Sequence, residues 1–184
     1  MTGRAVTADD ARDALQVVHG EVSALLAAFD VGQLPTFVAE LLAAKRVYIA
    51  GQGRSGLAGR GLAQRLMHNG LTTYVVGEIA VPAVSDGDLF IGITASGTTS
   101  TTVHQAQRAK AAGTRIIAVA LPGDSPLGGL ADWSLLLPRQ ASDQHATTAF
   151  CQAAQLIFDT TCRLVQQELG LRDEDLHQRH TNFE

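Results

Sequence analysis

Apolar residues in this chain alternate between two patterns. Short unbroken runs, among them Val47-Tyr48-Ile49-Ala50, Thr73-Tyr74-Val75-Val76 and Leu89-Phe90-Ile91-Gly92-Ile93, are bounded by glycine and polar residues. They predict buried strands over 46–50, 72–77, 89–94 and 114–121. Between them, helical spacing predicts amphipathic helices over 55–69 and 99–112, closed by the C-cap signals Asn69-Gly70 and Gly113. A short helical piece near 125–131, a strand over 133–137 and a long helix from Thr147 to Leu169 follow, then Gly170 and a polar tail through His180 to Glu184. At the other end, Ala11, Leu15, Val18, Val22, Leu25 and Leu26 recur at helical spacing behind Thr7 or Asp9 as cap. They predict a helix over 7–30 that Gly32 ends, and Pro35 opens a second helix running through Leu41-Leu42. Strands alternating with amphipathic helices predict an α/β fold with a parallel sheet covered on both faces. The first helix has no place in that alternation, and such an element docks either on the domain itself or on another subunit, so an oligomer is expected.

Two strand-to-helix turns stand out: Gly51-Gln52-Gly53-Arg54-Ser55-Gly56 and Thr94-Ala95-Ser96-Gly97-Thr98-Thr99-Ser100. A helix N-terminus presents unpaired N–H groups and the positive end of its dipole, so a glycine- and hydroxyl-rich turn there can wrap a phosphate without a formal charge. Two such turns at one sheet edge predict a phosphorylated small molecule as ligand. Gly51, Gly53 and Gly56 also fit the dinucleotide fingerprint, with Glu78 placed 22 residues past Gly56 to grip a ribose. The second hydroxyl turn, which a dinucleotide does not need, argues against that alternative, as does the lack of a separate substrate domain. Glycines that only make tight turns are the third reading.

Composition narrows the choice. At 184 residues and 46% hydrophobic content the chain suits one domain over 1–184, with N-terminal helices at 7–44, a sheet core at 45–140 and a C-terminal helix and tail at 147–184. No uninterrupted apolar stretch has membrane-spanning length, and acids stand where a signal peptide is apolar, so no membrane partner and a cytoplasmic location are expected. Fourteen Lys and Arg against eighteen Asp and Glu give a net charge of −4 with no dense basic run, which excludes nucleic acid as an expected partner. Cys151 and Cys162 lie on nearly one side of the long helix, where they cannot bridge.

The chain resembles the sugar isomerase (SIS) domain proteins, and within them the 6-phospho-3-hexuloisomerases. The resemblance rests on Gly51-Gln52-Gly53-Arg54-Ser55-Gly56, Arg65-Leu66-Met67-His68, Val76-Gly77-Glu78 with Pro82, Ser96-Gly97-x-Thr99, and Arg179-His180-x-Asn182-x-Glu184. It implies a three-layer αβα sandwich on a five-stranded parallel sheet, flavodoxin-like or Rossmann-like. It also implies assembly as a homo-oligomer, a tetramer or dimer, with active sites where subunits meet. Ser55, Thr94, Ser96 and Thr99 would hold the substrate phosphate, helped by the backbone at Gly53 and Gly97, with Arg54 as a positive neighbour. The implied reaction takes 3-hexulose 6-phosphate to fructose 6-phosphate through an enediol, with no metal or redox cofactor. Glu78 and His180 are the candidate acid–base groups, while His19, His68, His104 and His177 read as surface or packing residues.

The chain also departs from the family. Where the isomerases carry a glutamate base near the start of the last helix, Thr147-Thr148-Ala149-Phe150-Cys151-Gln152 puts Cys151. Cys151 shares a stripe with Ala154, Phe158, Cys162 and Val165, which predicts packing; a thiolate at a helix N-terminus is the other reading. The usually acidic position after Gly97 is Thr98, and residues 79–81 are Ile-Ala-Val where hydroxyls are favoured. A phosphosugar-binding protein that has lost its base is therefore the alternative to an isomerase.

Overall fold

The computed structural model describes residues 4–183. Helix α1 (Ala8–Ala28) opens with the expected cap: the Thr7 hydroxyl accepts from the Asp10 N–H at 3.2 Å, and the Asp10 carboxylate accepts from the Thr7 N–H at 2.9 Å. The helix ends earlier than the glycine signal predicts. Phe29 turns extended and buries its ring, and the Asp30 carboxylate accepts from Gly32 N–H at 2.9 Å to cap a single 3-10 turn, Val31–Gln33. Helix α2 (Leu34–Ala43) follows with Pro35 in its first turn.

Then come β1 (Val47–Gly51), α3 (Gly53–His68), β2 (Thr73–Val75), β3 (Leu89–Ile93), α4 (Ser100–Ala111), β4 (Arg115–Ala120), α5 (Pro126–Leu130), β5 (Trp133–Leu136) and α6 (Thr148–Glu168). All five strands are parallel, in the order β2-β1-β3-β4-β5. The chain leaves β1 for one side of the sheet and β3 for the other, so strand order reverses between these two neighbours. In open parallel sheets, ligands bind in the crevice at the carboxyl ends of strands at such a point.

The helices divide unevenly between the faces. On one face Phe37 and Leu41 of α2, Leu62 and Leu66 of α3, and Phe158 and Cys162 of α6 pack on Ile49, Ile91 and Ile117. On the other, Ala106 and Ala109 of α4 and Leu127 of α5 pack on Tyr48, Phe90 and Ile116. The stripe through Cys151, Ala154, Phe158, Cys162 and Val165 is buried throughout, so the packing expected of it is what the fold uses. The first helix docks partly on its own domain: Leu25 is buried, while Leu15 stays 68% exposed.

The tail is not simply polar chain. Asp173, Glu174 and Asp175 open a short helix, α7 (Asp173–His177), whose Leu176 is buried. Arg179 then donates to the carbonyl of His68 at 3.1 Å, and His180 stacks on His68 with ring centroids 5.1 Å apart. Glu184 of the tail motif lies outside the described residues. No single helix among the described residues is long and apolar enough to cross a membrane.

The β2–β3 connection is pinned by one buried acid. Asp88, its side chain fully covered, accepts from Arg46 at 2.9 and 2.6 Å and from the Ser85 N–H at 2.8 Å. Those bonds, Arg46 foremost, hold its carboxyl below the usual range. A carboxyl lowered on folding adds stability above its unfolded pKa of about 3.9 and loses it as pH falls through the folded value. Asp88→Asn is expected to lower the melting temperature by on the order of 5 °C at pH 7. The gap to wild type should narrow below about pH 4, and thermal scans across pH check both.

Candidate active site

The turns following β1 and β3 lie side by side. Gly51 pairs with Ile93 on the last shared rung, so both turns leave the sheet at the same height and open onto the carboxyl edge. In the first turn, Gly53 has φ of 55° and starts α3. A Cβ at Gly56 would stand 2.6 Å from the Gly51 carbonyl oxygen, so only glycine allows the helix this close to the strand. Ser55 faces inward, with its Oγ 3.6 Å from Cys151 Sγ, while Arg54 is exposed.

The second turn is a hydroxyl cluster. Thr94 Oγ1 lies 2.8 Å from Thr99 Oγ1 and 3.5 Å from Ser96 Oγ, and Ser96 Oγ lies 2.8 Å from Thr98 Oγ1. Thr94 is buried and Ser96 exposed, so the cluster runs from the sheet edge to the surface. Gly97, at φ of 67°, closes the turn by donating to the Thr94 carbonyl at 3.1 Å. Its carbonyl then accepts from Leu127 N–H at 3.0 Å, which ties the turn to α5. Ser125 caps α5 by accepting from Gly128 N–H at 3.1 Å, and it sits where a Cβ on Gly97 would go. Sequence reasoning missed this clasp, although Ser125-Pro126 is a recognisable helix start.

The remaining candidates are dispersed. Glu78 follows Gly77, at φ of 106°, beyond the carboxyl end of β2. It is half exposed and ion-paired with Arg60 of α3, a partner no local pattern announced. Cys151 is buried in the first turn of α6 beside Ser55. Cys162, deeper in the same helix, has its thiol pushed up to about 12 by burial, so it stays protonated. Next to Cys151, the Gln152 Oε1 is buried without a hydrogen-bond partner. Arg54, Leu57, Cys151 and Gln152 line a groove of about 730 Å³ between α1, α3 and α6.

His180 is not brought to the turns of its own chain. It lies at the C-terminal end of α3, roughly 20 Å along that helix from Ser55. The buried imidazole of His68 beneath it is held below the usual pKa by burial, then by the neighbouring His180 and Arg65. His68 is thus a packing residue, as expected, while His19, His104 and His177 are exposed.

The fold is that of the SIS domain. That family matches residues 40–160, and the chain belongs to it. The chain is 37% identical to the 3-hexulose-6-phosphate isomerase of Mycobacterium gastri, over 97% of this chain and 94% of that protein. It is 31% identical to the Bacillus subtilis 3-hexulose-6-phosphate isomerase, over 78% of this chain and 83% of the relative. Among solved structures, a Methanococcus jannaschii protein whose structure was taken to infer that same function superposes with a TM-score of 0.84 at 29% identity. The match covers 94% of this chain and 99% of that one. The dinucleotide alternative is set aside by this membership.

The Gly97–Ser125 clasp gives a test of the turn's construction. Gly97→Ala is expected to destabilise the fold by about 2–4 kcal/mol, through the clash with Ser125 and the positive φ. Ser125→Gly in the same chain should recover the steric part and leave roughly 1 kcal/mol of backbone strain. Urea unfolding of the two single variants and the double variant measures the split.

Proposed function

We propose that the protein is a phosphosugar isomerase that interconverts 3-hexulose 6-phosphate and fructose 6-phosphate through an enediol. The observation that carries this reading is the pair of hydroxyl turns flanking the β1–β3 switch point, in a chain whose SIS relatives bear that activity by name. The phosphate would enter the second turn, where Thr94, Ser96 and Thr99 exchange their mutual hydrogen bonds for bonds to its oxygens. Ser55 and the backbone at Gly53 and Gly97 complete the cradle, and Arg54 adds positive charge at its rim.

The reaction moves a carbonyl from carbon 3 to carbon 2. A base takes the proton from carbon 2, the enediol forms, and a proton returns to carbon 3 while the oxygens exchange theirs. Glu78 is our candidate base because it is the carboxylate at the carboxyl edge beside the first turn. Cys151, against Ser55, is the second candidate. His180 can serve only across a subunit boundary, since its own chain holds it far from the turns. That requirement fits a homo-oligomer, a tetramer or dimer, in which the groove between α1, α3 and α6 is a contact face. Leu15, Leu57 and Leu156 are exposed around it. A cytoplasmic setting accords with both cysteines being free.

The reading is tested by incubating the protein with enzymatically generated 3-hexulose 6-phosphate and following fructose 6-phosphate. Turnover no faster than the protein-free control would sink it. If calorimetry then still detects phosphosugar binding, the chain is a sensor that has lost its base, the reading that Cys151 in the glutamate position favours. Ser55→Ala and Ser96→Ala should each weaken phosphosugar affinity about ten- to hundredfold, and Thr98→Ala much less. Glu78→Gln should abolish turnover with affinity held within a few fold, and Cys151→Ser should be nearly silent. Loss of activity in Cys151→Ser with Glu78→Gln active reverses the assignment. Removing residues 179–184, which takes away the Arg179 and His180 contacts on α3, should impair turnover more than it lowers the melting temperature, and unchanged turnover takes His180 out of the mechanism.

A further inference from the structure

Helix α7 and the residues after it are held on the C-terminal end of α3 by an interface whose ionisable groups are basic. Leu176 is buried, Arg179 donates to the His68 carbonyl at 3.1 Å and to the Asp175 carbonyl at 3.2 Å, and the His180 ring stacks on His68 at 5.1 Å. His177 stands behind His180, with ring centroids 6.5 Å apart. Beneath this cover His68, the last residue of α3, is only 6% exposed.

The acids of the surrounding elements are engaged elsewhere. Asp175 accepts from the Arg172 N–H at 2.8 Å, Glu174 pairs with Arg172, Asp173 accepts from Gln166 of α6 at 3.0 Å, and Asp159 of α6 accepts from Gln155 at 3.3 Å. Helix α6 adds the exposed Arg163 and Cys162, whose thiol stays protonated, and β2 offers Tyr74, which is turned to the other face against Tyr48. Arg65 lies one turn before His68 on α3 itself. A proton on the docked His68 is therefore held out of water among cations, with no carboxylate to meet it. With the cover gone, the imidazolium is solvated at the carboxyl end of a helix, where a cation is favoured. Burial, then His180 and Arg65, hold the docked imidazole below its usual value. Docking is thus unopposed above the free value of about 6.5 and opposed increasingly as pH falls below it.

We propose that residues 173–180 form a pH-operated latch, docked on α3 while His68 is neutral and released as His68 takes up a proton. The contacts that hold it are few: one buried leucine, the two Arg179 bonds and the stacked rings. A single unfavourable charge is large against so small an interface. Release takes His180 from the place where it would serve a neighbouring subunit. That consequence, unlike the latch, rests on the role proposed for His180 above.

The test uses the full-length, isotope-labelled protein and follows hydrogen exchange of the Leu176, Gln178 and Arg179 amides by NMR between pH 7.5 and 5.0, corrected for the intrinsic pH dependence of exchange. Carboxylates and thiols titrate largely outside that window. One proton taken up at about 6.5 in the open state weakens docking by up to about thirtyfold at pH 5, so protection is expected to fall by about tenfold or more. His68→Phe keeps a flat ring that takes no proton, and its protection should stay within about twofold across the range. Reciprocally, Leu176→Asn undocks the segment within the full chain, and the His68 Cε1–H should then titrate at least about half a pH unit higher than in wild type. The latch is overturned by wild-type protection that does not fall, by an equal fall in His68→Phe, or by a His68 titration that Leu176→Asn leaves unchanged. The last comparison decides the matter if His68→Phe does not dock at pH 7.5. None of these readings uses turnover, so they judge the latch whether or not the chain isomerises a phosphosugar.

Discussion

Helix α3 rests on the end of β1 backbone against backbone, and much of the molecule is arranged around that contact. Gly56 meets the Gly51 carbonyl, and one turn later a Cβ on Gly59 would press on Ile49 and Ile93 at 2.9 and 3.0 Å. Close approach at two levels seats the helix deep in the groove between β1 and β3. Its first turn is thereby fixed at the height of the hydroxyl turn beyond β3, and Ser55 is turned toward α6. On its other side α3 receives the Gln155 side chain of α6, whose amide lies 2.6 Å from where a Cβ on Gly61 would stand and can swing aside. A bulkier residue at Gly56 or Gly59 would lift α3 from the sheet and separate the two turns.

Much of this framework was legible in the chain because it is written in local, periodic signals. Five apolar runs gave five strands, and the glycines after 69 and 112 ended helices where expected. The order β2-β1-β3 is not a local property, and no pattern along the chain specifies it. Contacts between distant segments left no periodic trace. Arg60 meeting Glu78, Ser125 filling the space beside Gly97, and His180 stacking on His68 each join residues that look like ordinary surface or turn positions. Helix α7 was missed for a different reason: its run of acids reads as solvated chain until Leu176 finds the core.

The chemistry divides in the same way. Phosphate-type turns are built mostly from backbone geometry, so glycine and hydroxyl spacing reveals them. An acid–base apparatus depends on which side chains converge, and here the side chains of one protomer do not all converge. Cys151 packs on Ser55 among apolar neighbours. Glu78 is at the correct edge but engaged with Arg60, and His180 is committed to the far end of α3. The framework brings the two turns together and leaves these three groups apart.

The two outermost strands are short, with three residues in β2 and four in β5. An exposed edge of that length offers few free N–H and C=O groups, too few to template a further strand from another chain. The long strands that could do so, β1, β3 and β4, are all interior. The sheet is therefore closed to growth without being closed into a barrel. That leaves helix surfaces for any contact between copies of this chain, where side-chain identity rather than generic backbone pairing decides the partner.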